Sequence, residues 1–256
     1  MVTKKLATFI IFIILIMIVL FLHAQFTCTK VIEKYSKKRH IFKQLYALLY
    51  ITDKIFIENN VTYWMEAGTL LGAIRHGGII PWDDDADIGV FNDDVEKIEK
   101  LTDEFKKYNI LMTNTFFGYK LFFIHAKKNH KFNYPSLDIF VFHKKKNQRL
   151  KYKNFRAEFV FGKCSLYTDD ILPLKRYKFS NFYLNGVNEN HSKLYCNDCY
   201  GKDWNTHYYE EYDHENEKIK EKIKKPLESN DRLPVKSIDI ENDLINIING
   251  NLDVMD

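Results

Sequence analysis

The stretch YWMEAGTLLGAIRHGGIIPWDDDADIGVF runs from Tyr63 to Phe91 and sets four carboxylates, Asp83, Asp84, Asp85 and Asp87, in five positions between Pro81-Trp82 and an apolar run. From Asp85 the residues alternate. Asp85, Asp87 and Gly89 share one face and Ala86, Ile88 and Val90 the other, which predicts a strand with one core face and one carboxylate face. Carboxylates at i and i+2 lie about 6–7 Å apart and point the same way, so both reach one or two divalent ions. Without a cation such a cluster repels itself. A solvated acidic turn accounts for Asp83 and Asp84 but not for Asp87, which sits inside the apolar strand. A calcium loop of the EF-hand kind needs Gly at its sixth place and Glu at its twelfth, where this chain has Ile88 and Asp94.

Outward from this stretch, Ile41, Leu45, Leu48, Leu49 and Thr52 recur at helical spacing and predict a helix from His40 to about Asn59-Asn60. Val61 to Ala67 reads as a strand, Gly68-Thr69 as a turn, and Leu70 to Arg75 as a short helix stopped by Gly77-Gly78. A Gly-Thr turn before a helix exposes backbone N–H groups suited to a phosphate. Asn92 is placed to cap a following helix whose stripe is Val95, Ile98, Leu101, Thr102 and Phe105. Tyr119 to His125 and Leu137 to Phe142 read as strands, and Asp138 interrupts the second. Asp138 is the expected third ligand, giving with Asp85 and Asp87 a site for Mg²⁺ or Mn²⁺. Of the flanking acids, Asp83 is the further candidate ligand, because Asp84 points the other way on an ideal strand.

A strand, a Gly-Thr turn with a helix, an Asp-x-Asp strand and a later Asp are together similar to the plan of the polymerase-β-like nucleotidyltransferases. The expected fold is therefore α+β, a nucleotidyltransferase-like mixed sheet flanked by helices. Glu66-Ala67-Gly68-Thr69-Leu70-Leu71-Gly72, Arg75-His76-Gly77 and Ile80-Pro81-Trp82-Asp83-Asp84-Asp85-Ala86-Asp87 resemble the signature of the LicD family, which includes bacterial phosphocholine transferases and animal fukutin and fukutin-related proteins. The resemblance continues at Ser136-Leu137-Asp138-Ile139-Phe140, Leu172-Pro173-Leu174, Lys178-Phe179 and Leu194-Tyr195 through Trp204, so it covers about Ile41 to Tyr208.

The resemblance implies transfer of a phosphate-linked group, such as phosphocholine or ribitol phosphate, from a CDP-activated donor to a glycan hydroxyl with release of CMP. It implies metal ligation by Asp83, Asp85, Asp87 and Asp138, with Asp85, Asp87 and Asp138 as the catalytic set and Asp138 assisting deprotonation of the acceptor. Gly68, Thr69, Arg75 and Lys120 are the expected donor contacts. The chain departs from the family where Phe140-Val141-Phe142-His143 follows Asp138, in place of a Pro and an acidic residue. It also lacks the cysteine set of a zinc finger. Two other functions compete: a catalytically silent glycan-binding or scaffolding protein of the same fold, and a nucleotidyltransferase that transfers NMP.

The N-terminus, MVTKKLATFIIFIILIMIVLFLHAQF, is uncharged from Leu6 to Leu22 after Lys4-Lys5. It predicts a signal anchor over 6–22 with residues 1–5 cytosolic, a stem over 23–40, and a type II protein facing the Golgi or endoplasmic reticulum lumen. Leu22-His23-Ala24 offers the alternative of cleavage and secretion. The remaining expectations are a catalytic domain over 41–208 and a charged, helical tail over 209–256, with EKIKEKIKK (Glu217 to Lys225) as its helix.

At 256 residues and 46% hydrophobic content the chain has enough apolar material for one sizeable core. Its net charge of +4 is too small and too dispersed for a nucleic-acid footprint, and Lys144-Lys145-Lys146 reads as a solvated loop. Cys28, Cys164, Cys196 and Cys199 suit one or two disulfides of open pairing in an oxidising compartment. Cys196-Asn-Asp-Cys199 has metal spacing but lacks a second ligand pair. Asn60-Val61-Thr62 and Asn190-His191-Ser192 are acceptor sequons compatible with that route.

Overall fold

The computed structural model describes residues 13–21, 39–129, 132–144, 149–162, 164, 166–167, 171–213 and 218–252. The chain forms two units, 1–39 and 40–256. In the first, residues 13–21 are helical with exposed apolar side chains. Among the described residues no helix is long and apolar enough to cross a membrane, and the rest of the expected 6–22 segment lies outside them, as does Cys28.

The second unit is α+β. Its first helix, α1 (Arg39–Glu58), is buried all round from Ile41 to Leu49, and its apolar stripe of Phe42, Leu45, Leu48, Leu49, Ile55 and Phe56 lies in the core. A helix of that pattern is packed around rather than laid on a surface. It ends where Asn60 takes a left-handed conformation (φ 53°), which an asparagine tolerates at a helix C-terminus. Strand β1 (Tyr63–Met65), α2 (Ala67–Arg75) and β2 (Ala86–Phe91) follow. β2 is buried at all six positions, as suits a central strand covered on both faces.

The crossover from β2 passes through a 3-10 turn (Asn92–Asp94), α3 (Val95–Lys100), α4 (Thr102–Lys106), β3 (Ile110–Asn114), β4 (Gly118–Phe123) and the hairpin of β5 (Lys127–Asn129) and β6 (Phe132–Tyr134). It returns as β7 (Leu137–His143). The main sheet has the order β1-β2-β7-β4-β3, with β8 (Lys151–Tyr152) added to β7. β2 and β7 run parallel, while β1–β2, β4–β7, β3–β4 and β7–β8 are antiparallel, so the sheet is mixed.

Asn92 does not cap the helix that follows it. Neither the 3-10 turn nor α3 has a side-chain cap, and the buried Asp94 carboxylate instead accepts from the Thr62 N–H (2.9 Å) and Lys97 Nζ (2.6 Å), tying the segment to β1. β3 had no sequence signal of its own because only Ile110 in it is buried, the mark of an edge strand.

Helix α5 (Phe155–Phe161), the hairpin of β9 (Lys175–Phe179) and β10 (Phe182–Gly186), and α6 (Glu189–Tyr200) complete the body. Phe179 and Phe182 pack edge-on against Tyr46 of α1. A disulfide joins Cys164 to Cys199 and leaves Cys196 buried as a thiol, so the Cys196/Cys199 pair is not a metal site.

The expected helix at Glu217 to Lys225 is a strand. β12 (Lys218–Pro226) pairs antiparallel with β11 (His207–Asp213). Ile219 and Ile223 are compatible with either period, and the partner strand decides. Lys222 and Lys224 lie 4.7 and 5.6 Å from the ring centre of Tyr209, and Lys224 pairs with Asp203 (2.6 Å). A helix would lose both these cross-strand contacts and the ladder. Beyond it the chain returns to the core, with Ile238 and Ile247 buried and the Val235 N–H donating to Ile79 O (3.1 Å); α7 (Leu244–Ile248) closes the described part.

Candidate functional site

The parallel register sets Ala86 beside Leu137 and Asp87 beside Asp138. In a parallel pair, residues in register direct their side chains to the same face, so the two carboxylates share one. On the far side of β7, Lys120 of β4 is the register partner of Asp138. Its Nζ lies 2.7 Å from Asp138 Oδ1 and donates to Ser136 Oγ at 3.0 Å. Burial opposes the charge on Lys120, but Asp138, Asp85 and Asp87 outweigh it and hold its proton affinity above that of an ordinary lysine. Of the three expected ligands, Asp138 therefore pairs with this ammonium group directly, while the charges of Asp85 and Asp87 act on it.

Other groups fix this arrangement. Thr69 is buried, and its hydroxyl accepts from the Asp87 N–H at 2.8 Å. The Asp87 carbonyl accepts from the Glu66 N–H at 3.0 Å, which carries the β1–β2 ladder up to the turn. At Gly68 a Cβ would come within 2.5 Å of Asp83 Oδ2, so the Asp83 carboxylate lies against the first turn of α2. A carboxylate is favourable at that end of a helix. The Gly68-Thr69 turn thus holds Asp83 and Asp87 in place. Asp84 faces away, as expected: it is buried and accepts from Tyr134 Oη at 2.8 Å, which fastens the entrance to β7.

Arg75 turns its guanidinium to backbone acceptors, and the Asp83 charge also acts on it. Its Nη1 donates to the carbonyls of Trp204 (2.6 Å) and His207 (3.3 Å), and its guanidinium lies 5.8 Å from the Trp82 ring centre. Burial pushes it down to about 10. Burial also pushes the neighbouring His76 down to about 3, and Arg75 adds to the shift. His76 meets Trp82 edge-on, and Trp82 stacks on Tyr208 at 4.2 Å.

Sequence reasoning passed over Glu66. Its Oε1 accepts from Tyr195 Oη (2.6 Å) and its Oε2 from Trp64 Nε1 (2.7 Å), yet burial still pushes it up to about 7. The Tyr195 hydroxyl also accepts from the Ala67 N–H (3.1 Å), and Ala67 has a left-handed backbone (φ 43°). Glu66 was visible as a polar residue just before the Gly-Thr turn. Tyr195 stood in the Leu194-Tyr195 stretch of the resemblance, but its contact with Glu66 could not be read, because it arrives from α6, 129 residues later.

Among the described residues no group of three or more His, Cys, Asp or Glu is disposed to hold a metal ion. The donor chemistry nonetheless fits one: the hard carboxylates of Asp87 on β2 and Asp138 on β7 share a face, and Lys120 is ion-paired to Asp138.

The sequence profile described as the LicD/FKTN/FKRP nucleotidyltransferase domain matches residues 60–189. An uncharacterised protein of Rickettsia prowazekii is 30% identical over 158 residues, 62% of this chain and 55% of its own length. Human ribitol 5-phosphate transferase FKRP is 58% identical over 41 residues, 16% of this chain and 8% of its own. The lipopolysaccharide cholinephosphotransferase LicD of Haemophilus influenzae is 49% identical over 37 residues, 14% of each. The chain thus spans about half or less of these relatives. With the profile covering half the chain and the acidic β2–β7 pair within its span, the chain belongs to the LicD/FKTN/FKRP nucleotidyltransferase-domain family.

Proposed function

We propose that the protein transfers a phosphate-linked group from a CDP-activated donor to a glycan hydroxyl and releases CMP. The observation that carries the reading is the Asp87–Asp138 pair in parallel register, with Lys120 ion-paired to Asp138. Family membership and the two named transferases among its relatives support it. Asp85, Asp87 and Asp138, with Asp83 beside them, would hold Mg²⁺ or Mn²⁺. Such an ion supplies charge neutralisation at the pyrophosphate of the donor.

The chain's own groups do the rest. The acceptor oxygen forms a bond to the phosphorus bearing the transferred group, the bridging P–O bond to CMP breaks, and Asp138 takes the hydroxyl proton. Lys120, ion-paired to Asp138 at the edge of this face, would present its ammonium to the donor phosphate. Thr69 and Gly68 hold Asp87 and Asp83 rather than the donor. Arg75 is engaged by two backbone carbonyls, so the phosphate contact is assigned to Lys120. Rate enhancement is then mostly positioning and electrostatic stabilisation, as is general for phosphoryl transfer. In this reading the Leu6–Leu22 run tethers the enzyme to a membrane facing its glycan acceptor.

The test incubates the protein with Mn²⁺ and CDP-choline, CDP-ribitol or CDP-glycerol, and resolves the products. EDTA-sensitive CMP from one donor is expected. Pyrophosphate from a nucleoside triphosphate, with no CMP from any CDP-linked donor, would instead assign NMP transfer.

A further inference from the structure

Helix α5 presents an apolar face that is exposed among the described residues. Phe155 is 87% exposed, Phe159 90% and Val160 54%, while Ala157 is buried and Phe161 packs on Phe140 and Phe117. Phe155 and Phe159 are one turn apart and so project together. Large apolar side chains grouped at this exposure mark a contact surface rather than an ordinary exterior.

The surroundings name the contact. Residues 144–163 contain eight Lys and Arg against one Glu, a formal +7 within a chain whose total is +4, so the remainder is net −3. Lys151 and Lys153, just before the helix, and Arg156 within it are exposed. The one acid, Glu158, is occupied by Arg149 Nη1 (2.7 Å) and the Tyr152 N–H (3.0 Å), so it does not offset the exposed cations.

We propose that the Phe155–Phe159–Val160 face of α5, with its basic rim, docks onto a lipid bilayer bearing anionic headgroups. Aromatic residues on one side of a helix and Lys/Arg at its margin are the chemistry of an interfacial helix: acyl chains receive the rings and headgroups receive the cations. A second copy of the same face would bring two basic segments together, which is electrostatically unfavourable. The inner side of the helix also places this surface near the reaction face. Phe161 touches Phe140, which lies two residues beyond Asp138 on the same side of β7. A bilayer docked here lies on the flank of the sheet from which a lipid-borne acceptor would approach. Docking is a separate contact and is measured separately.

The test uses the full chain in a Cys28→Ser background, with a nitroxide at Phe159→Cys or, for reference, at the exposed Asp103→Cys. Nanodiscs of phosphatidylcholine, alone or mixed with phosphatidylserine, are added, and collision with oxygen and with a water-soluble nickel chelate is read by electron paramagnetic resonance. The expected result at position 159 is a several-fold rise in the oxygen-to-nickel ratio with phosphatidylserine, a smaller rise without it, and none at position 103. Adding Phe155→Ser should reverse the rise with no change in melting temperature. A label at 159 equally open to nickel with and without discs overturns the proposal. So does one shielded from both reagents with short nitroxide–nitroxide distances, which would mean that a second copy covers the face.

Discussion

Helix α2 has two unlike ends, and the difference separates chemistry from architecture in this fold. Its first turn lies against Asp83 and, through Thr69, against Asp87. Its last turn carries Arg75 and His76 into a packed knot with Trp82, Tyr208 and the carbonyls of residues 204 and 207. Both ends hold charged groups. Only at the first are like charges left side by side across strands, with a lysine on the far side of β7 paired to one of them. At the last, the charge is spent on backbone acceptors, which rigidifies the structure and leaves little for a substrate.

That contrast breaks most visibly at the first end. Asp87→Asn and Asp138→Asn are each expected to lower CMP release about 10³-fold, roughly 4 kcal/mol at the transition state, with melting temperature maintained. Retained activity in either would put the chemistry elsewhere.

Glu66, between β1 and the helix, gives the next largest effect, and it depends on pH. Its folded value of about 7 lies above the ordinary 4.5, so the folded state holds the proton more tightly than the unfolded chain does. Stability from this group is fully present below about pH 4.5 and is lost as pH rises through about 7, a difference of about 3 kcal/mol. Glu66→Gln should flatten that part of the stability–pH curve, measured by urea unfolding between pH 4 and 8. An unchanged slope contradicts the assignment.

At the far end, Arg75→Ala should cost about 2–3 kcal/mol of stability by leaving the carbonyls of Trp204 and His207 without their donor. CMP release per folded molecule should stay close to wild type. Loss of activity at unchanged stability would return Arg75 to the donor site. The smallest effect belongs to Thr69→Val, which removes the acceptor of the Asp87 N–H and should cost about 1 kcal/mol in denaturant unfolding.

Much of the acidic end was legible in the chain itself, because alternation along a strand reports which side chains share a face. Asp85, Asp87 and Asp138 could be singled out that way, as could Asp84's opposite orientation. What alternation does not report is register between strands 51 residues apart, which sets Asp87 beside Asp138 and Lys120 across from it. Lys120 was named as a candidate donor contact, but its ion pair with Asp138 was not foreseen. The buried partners of Glu66 and the Cys164–Cys199 bond depend on α6 packing back on α2, a long-range event with no local mark. The Lys-rich strand β12 was misread for a related reason: its period is ambiguous, and the aromatic strand that pairs with it settles the matter.

We propose that Asp87 and Asp138 form a divalent-cation centre beside the Lys120–Asp138 ion pair. The most direct measurement is titration of Mn²⁺ into the wild-type protein and Asp87→Asn, counting free Mn²⁺ by electron paramagnetic resonance. The account predicts saturable binding by the wild type and its loss in Asp87→Asn without a fall in melting temperature; equal binding by the two proteins, or none by the wild type, would contradict it.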